Sequence, residues 1–281
     1  RQQSAYHAEA WQRAEQLQQT FDQVPNHIGK ATFSRIKQTQ RRKLLQGLGI
    51  LLAAGPAAWA TYRALPWEDW SADYHTATGE QQTVQLADGT TLALNTNTAI
   101  NIQYVRTQRE IILLHGEIMV ETGHADTQHR RFVVTTRHAQ LTALGTRFNV
   151  QAQPEQSQLA VLEGKVRIAL PGGESRTLQA GEQADFNASA ISATQAVNPA
   201  IGLWQHGMLL AQDMPLGLLI NELNRYHRGI LRCHPAISEL HVSGAFPLMD
   251  TRASLDMLRN TLPLEIHSIT RYWVTIAPLK K

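Results

Sequence analysis

The chain carries one cysteine, Cys233, so no internal disulfide is possible even in an oxidising compartment. Its twelve histidines are scattered, without H-E-x-x-H or H-x-H spacing and without a cysteine partner. They supply no metal-ligand set, and surface or core roles are their default. A Ser/His/Asp signature and a glycine-rich phosphate loop are also missing, which leaves an enzyme reading little to stand on and implies no cofactor. Charge is absent from residues 44 to 62, between Lys43 and Arg63. As a helix that run would rise about 28 Å, close to the ~30 Å of a bilayer's hydrocarbon core. Pro56 would break a soluble helix, but a membrane helix tolerates a Gly-Pro kink.

The flanks orient this run. Residues 1 to 43 hold eight Lys/Arg and three Asp/Glu, whereas the remainder holds eighteen and twenty. Positive flanks stay in the cytoplasm. The expected topology is a single span over 41–63 of a bacterial inner membrane, with residues 1–40 cytoplasmic and the long C-terminal part periplasmic. Other readings stay open. A buried helix of a soluble protein is one, and a cleaved signal peptide with Ala58-Trp59-Ala60 as its A-x-A site is another. Gln40 to Leu45 also looks like a loose twin-arginine signal. The pI near 9.1 invites a nucleic-acid partner. The basic excess is confined to the N-terminal leg, where topology explains it, so no direct nucleic-acid contact is expected.

Hydrophobic spacing divides the chain further. Trp11, Ala14, Leu17, Phe21 and Val24 repeat at helical spacing, so residues 5 to 24 read as one amphipathic helix ended by Pro25. One such helix cannot bury its stripe alone and needs a partner. From Tyr74 to Ile191 the period is two. Val84 and Leu86 alternate, Asp88-Gly89 turns, and Leu92 and Leu94 alternate again, a strong hairpin signal. Ile111 to Leu114 reads as a strand ending at Gly116-Glu117. Glu80, Glu117 and Glu163 each adjoin a glycine, as in ordinary turns. The region 74–191 is therefore expected to be all-β, followed by a linker over 192–202. Residues 203–278 alternate strand and helix. Asp213-Met214-Pro215 reads as a helix start, with Leu216, Leu219, Ile220 and Leu223 on its apolar face and Gly229 as its stop. Asp250 caps a second helix. The order β-α-β-β-α-β-β gives a small α+β domain.

Several segments together resemble the FecR family. They are Thr78-Gly79-Glu80, Leu86 to Thr90, Leu94-Asn95, Leu113 to Glu117, Ala143 to Phe148 and Glu163 to Val166, then Leu223 to Tyr226, Val242 to Phe246 and Thr261 to Leu264. Ile266 to Trp273 brings the chain close to that family's ferric-citrate regulator. The resemblance implies an inner-membrane transducer. In the periplasm, the N-terminal signalling domain of a TonB-dependent outer-membrane receptor, loaded with a ferric chelate such as ferric citrate or a siderophore, would touch residues 203–278. In the cytoplasm, an extracytoplasmic-function sigma factor would be controlled, with site-2-type and periplasmic proteases in some members. The C-terminal domain would resemble the secretin/TonB short N-terminal fold. By the same resemblance Leu216, Leu219 and Leu223 belong to receptor coupling, and Trp11, Leu17 and Phe21 to the sigma side. Family members usually carry several cytoplasmic helices. Here one is expected, around Glu9 to Val24, as the last part of an incomplete sigma-binding domain. A membrane-anchored structural or adaptor protein and a periplasmic enzyme are the alternatives.

The last expectation concerns Gly145-Thr146. On sequence alone Gly145 reads as a bulge in a strand carrying Leu144, Phe148 and Val150. By resemblance the bond is a self-cleavage site. The Thr146 hydroxyl can reach the Gly145 carbonyl through a five-membered ring, and Gly145 has no Cβ in the way. His138 and His115 are candidate assistants.

Overall fold

A computed structural model describes residues 72–279 except His124, His129, Leu144 and Arg271. The expected cytoplasmic helix with Trp11, Leu17 and Phe21, and the expected span over 41–63, lie outside the described residues. Among the described residues no helix is long and apolar enough to cross a membrane.

The first thirteen strands run from β1 (Tyr74–Thr76) through β2 (Gln82–Gln85), β3 (Thr91–Leu94), β4 (Thr98–Tyr104), β5 (Gln108–Glu121), β6 (Arg131–Thr135) and β7 (Gln140–Ala143). They continue with β8 (Arg147–Ala152), β9 (Ser157–Glu163), β10 (Lys165–Ala169), β11 (Ser175–Gln179), β12 (Glu182–Phe186) and β13 (Gln195–Ala196). Apolar side chains alternate along them and meet in one core, from Leu92 and Leu94 through Ile111, Phe132, Phe148 and Leu159 to Phe186. Strand β5 belongs to both layers of this sandwich. Its first half pairs with β4 and β6, its second half with β3 and β8. It does not end at Gly116-Glu117, as the sequence suggested, but bends there and continues to Glu121. Gly116 has φ +93°, and a Cβ would lie 2.3 Å from Thr98 Oγ1. Only glycine makes that bend.

After the bend Glu117, Ile118, Met119 and Val120 are all buried. A strand with both faces covered reads as a continuous buried run. Ile118 and Val120 enter the sandwich core, while Met119 and Ala93 enter a second core built with the C-terminal segment. That segment comprises a short 3-10 helix (Leu203–His206), β14 (Met208–Pro215), α1 (Leu216–Asn224), β15 (Ile230–Cys233), β16 (His241–Pro247), α2 (Thr251–Thr261), β17 (Leu264–Thr270) and β18 (Trp273–Pro278). Strands β14 and β16 pair, and β15, β18 and β17 form a small mixed sheet.

Three local expectations are corrected. Asp213 does not cap a helix. It sits at φ +50° in a bulge of β14, its N–H donating to Ser243 Oγ, and pairing with β16 resumes at Met214. Helix α1 starts at Leu216, and the carbonyls of Leu240 and Ser238 accept its first two free N–H groups, so no side-chain cap is needed. It ends at Asn224, well before Gly229. Gly229 instead lets the backbone of Tyr272 approach, since a Cβ there would lie 2.2 Å from the Tyr272 carbonyl oxygen. Finally, residues 195–196 of the expected linker add strand β13 to β12.

The loop between β5 and β6 is held by buried charge. Arg109 Nη1 lies 2.5 Å from Asp88 Oδ2, and Arg130 Nη2 lies 2.8 Å from Asp126 Oδ1. Burial opposes ionisation of Asp88, but hydrogen bonds from Thr90 and Arg109 outweigh it and its pKa is lowered. The hydrogen bond from Arg130 pulls Asp126 down from 3.8 to about 2. A depressed carboxylate pKa stabilises the fold in full above the unfolded value, and that stability is lost as pH falls through the folded one. Between pH ~4 and ~2, wild type should therefore lose stability faster than Asp126→Asn. Urea midpoints taken across that window check this; parallel curves would remove Asp126 from the acid response.

Candidate functional site

Gly145 and Thr146 lie neither in a strand nor in a bulge. They form the crossover from β7 in one sheet to β8 in the other, so the expected bulge is corrected. Gly145 is exposed with φ +67°, a conformation few residues other than glycine adopt. Thr146 is buried. The next crossover, Gly164 between β9 and β10, packs directly on them. A Cβ on Gly164 would lie 2.5 Å from the Gly145 carbonyl oxygen and 2.7 Å from Thr146 Cγ2. Gly164 thus seats the carbonyl and the threonine methyl together, which fixes the side-chain rotamer. The segments Ala143 to Phe148 and Glu163 to Val166 are neighbours in space for this reason.

On the other side, Thr122 continues the β5–β8 ladder by one residue. Its N–H donates to the Thr146 carbonyl at 3.0 Å. The Thr122 hydroxyl accepts from the Thr146 N–H at 2.7 Å and donates to the Thr146 carbonyl at 3.1 Å. The Thr146 hydroxyl is buried and has no hydrogen-bond partner among the described residues. Buried hydroxyls are nearly always bonded, so this orphan, beside a glycine with positive φ, marks the spot. Neither histidine assists. His138 precedes β7 while Gly145 follows it, and its Nδ1 lies 2.9 Å from Ser157 Oγ. His115 pairs with Ala99, six residues along β5 from the Glu121–Arg147 pair.

A second constellation joins the sandwich to the C-terminal segment. Glu117, read from sequence as a turn residue, is 5% exposed and is the hub. Its carboxylate accepts from Asn95 Nδ2 and Asn149 Nδ2, each at 2.9 Å, and pairs with the Arg225 guanidinium. Arg225 also bonds Glu222 Oε2 at 2.8 Å. With its amide oriented to accept, Gln151 oxygen takes both guanidinium nitrogens at 2.9 and 3.1 Å. Burial works against the Arg225 charge, but the Glu117 and Glu222 carboxylates outweigh it and raise its pKa. Asn95 Nδ2 lies 2.6 Å from Tyr226 Oη, and Trp204 Nε1 donates to Asn149 Oδ1 at 3.3 Å. Burial foremost raises the Tyr226 pKa, so its hydroxyl stays a neutral donor and acceptor. A cleft of about 240 Å³ along this seam is lined by Glu117, Gln151, Trp204, Glu222 and Arg225.

Leu216, Leu219 and Leu223 are fully buried in the second core; the apolar helix residue that faces outward is Leu218, 56% exposed. The three leucines hold α1 in place and offer a partner no surface while the helix is folded. The open face of the β15–β18–β17 sheet is different. It carries Ile230, Trp273 with Arg232 stacked 4.9 Å from its ring, and a strand end with Ile269 80% exposed. No group of three or more His, Cys, Asp or Glu side chains that could hold a metal occurs among the described residues.

A two-sheet sandwich that shares its central strand, with an α+β segment sealed to its outer face, defines the architecture. Residues 72–167 match the family model described as FecR protein. Two crystal structures from Parabacteroides distasonis ATCC 8503, each described as a "putative anti-sigma factor", share the fold. They align with TM-scores of 0.60 and 0.61 at 22% identity, over 73% of this chain and 97% and 98% of theirs. Comparison with curated proteins gives no match.

Proposed function

We propose that this chain is a single-span inner-membrane transducer that controls an extracytoplasmic-function sigma factor. In this reading residues 1–40 face the sigma factor, residues 41–63 cross the membrane, and the FecR domain and residues 203–278 lie in the periplasm. The match of residues 72–167 to the FecR family carries it. The basic N-terminal leg before an uncharged run supports the topology. The open face with Ile230, Ile269 and Trp273 supports a protein partner on the C-terminal segment, because exposed apolar clusters mark such sites. The partner proposed there is the signalling domain of a TonB-dependent receptor loaded with a ferric chelate. A sigma-dependent reporter tests the reading. Deleting the chain should make output constitutive if it inhibits, or abolish it if it activates. Ile269→Asp should uncouple output from the chelate, with little cost to folding at so exposed a site. A reporter indifferent to deletion would refute the proposal.

A second reading, self-cleavage between Gly145 and Thr146, is favoured by the orphaned Thr146 hydroxyl. Denaturing gels of purified chain should show two pieces for wild type, Thr146→Ser and Thr146→Cys, and one for Thr146→Ala. Cutting of Thr146→Ala at the same bond would exclude the hydroxyl as nucleophile. The two pieces would stay associated, because strands on both sides of the bond share one core.

A further inference from the structure

Self-cleavage of this kind is an N→O shift followed by hydrolysis. Thr146 Oγ1 bonds to the Gly145 carbonyl carbon, the bond from that carbon to the Thr146 nitrogen breaks, and the hydroxyl proton ends on that nitrogen. The products are an ester and an amine. Water then adds to the ester, leaving a Gly145 carboxylate and restoring the Thr146 hydroxyl. The step needs a free nucleophile, a fixed approach to the carbonyl, and a nitrogen free to change from planar to pyramidal.

We propose that Thr122 is the positioning residue for this step, an inference that rests on the self-cleavage reading. Its hydroxyl accepts the N–H of the nitrogen that leaves and donates to the Thr146 carbonyl, while its own N–H donates to that same carbonyl. Both backbone groups flanking the Thr146 Cα are therefore held by one residue, which is 7% exposed. The clamp has two consequences. It spends the only donor of the Thr122 hydroxyl on backbone, so that hydroxyl donates nothing to the Thr146 hydroxyl, which stays unpartnered. It also keeps the amide hydrogen engaged as the nitrogen pyramidalises, so the lone pair forms away from Thr122, where the incoming proton can meet it. With Gly164 holding the methyl and the Gly145 carbonyl from the opposite side, the reacting atoms are confined before reaction. Thr122 touches the leaving nitrogen's hydrogen rather than the nucleophile, so its effect is independent of which atom attacks.

The test follows the appearance of the two fragments over time in freshly made full chain, on denaturing gels. The variants are wild type, Thr146→Ala, Thr122→Val and Thr122→Ser, and rates are compared for protein with wild-type near-ultraviolet circular dichroism. Thr122→Val keeps the shape and loses the hydroxyl. It should cleave at least about tenfold more slowly, a cost typical of lost positioning, whereas Thr122→Ser should recover most of the rate. In a Thr146→Cys background, where sulfur attacks, Thr122→Val should slow cleavage by a similar factor. A purely structural role would not give matched factors with rescue by serine. If Thr122→Val does not fold, Thr122→Cys replaces it, and its weaker hydrogen bonds should give an intermediate rate. Folded Thr122→Val, or Thr122→Cys in its place, cleaving at the wild-type rate overturns the role of Thr122 and leaves self-cleavage standing. An uncut wild type overturns self-cleavage itself, and the role of Thr122 with it.

Discussion

Gly116→Ala is expected to be severely destabilising. At φ +93° an L-residue is strained, and the added methyl would lie 2.3 and 2.5 Å from Thr98 Oγ1 and Cα and 2.6 Å from the Asn97 carbonyl oxygen. Two of those atoms are main chain, so no rotamer change relieves the contact. Thr98 is itself committed, since its hydroxyl accepts the Glu117 N–H at 3.0 Å. The dihedral alone costs ~1–2 kcal/mol and overpacking typically ~1–3 more. A combined loss of about 4 kcal/mol is a large share of the ~5–15 kcal/mol by which domains are stable. Gly173→Ala supplies the control. Its φ is +92°, but nothing lies within 4 Å of the new Cβ. Urea unfolding should show Gly116→Ala far less stable than Gly173→Ala. Equal losses would mean that the dihedral, and not the crossing of β5 over Thr98, governs this position.

Arg225→Leu is the second large effect. It would leave the buried Glu117 carboxylate with two asparagine amides and no cation. Removing one partner of a buried ion pair costs roughly 3–5 kcal/mol, because the other charge stays desolvated. The damage should fall on the seam between the sandwich and the C-terminal segment, since Arg225 follows α1 and Glu117 lies in β5. Proteases should then cut faster within residues 192–202, and fragments of both parts should accumulate. Adding Glu117→Gln to Arg225→Leu should recover part of the loss, since a neutral amide tolerates the site better than a stranded carboxylate. A double-mutant cycle with no coupling would dissolve the clasp as an energetic unit.

The strands of the sandwich were legible because turn chemistry and alternation agree there. Asp88-Gly89 closes β2 on β3, and Leu92 and Leu94 alternate inward. Glu117 was not legible, because a glutamate after a glycine looks like a turn and its burial depends on a helix more than a hundred residues later. The one local hint is the unbroken buried run of Ile118, Met119 and Val120, too apolar for a strand with a wet face. Asp213 and Pro215 misled for a related reason. Both suit a helix start, but pairing of β14 with β16 resumes at Met214 and keeps the chain in the strand through Pro215, so the helix begins only at Leu216. For Gly145-Thr146 the sequence offered the dipeptide and the reach of its hydroxyl. Thr122 and Gly164 were invisible, since they come from crossovers brought alongside only by the stacking of two sheets.

Strand order also gives the Gly145-Thr146 link a mechanical meaning. Everything before it supplies β1 to β7, and everything after it β8 onward. Among the described strands, two ladders join these halves: β5–β8 with six registered pairs and β7–β10 with four. While the peptide bond is intact, tension between the two ends of the domain runs through covalent backbone. Once it is cut, the same load falls on those two ladders, the core between them and the side-chain bonds of Glu117 with Arg225 and Asn95 with Tyr226. The Thr122–Thr146 hydrogen bonds are the last rung of the longer ladder, so that rung would take the first strain. A nicked domain would hold at rest and unzip from that rung under a sustained pull.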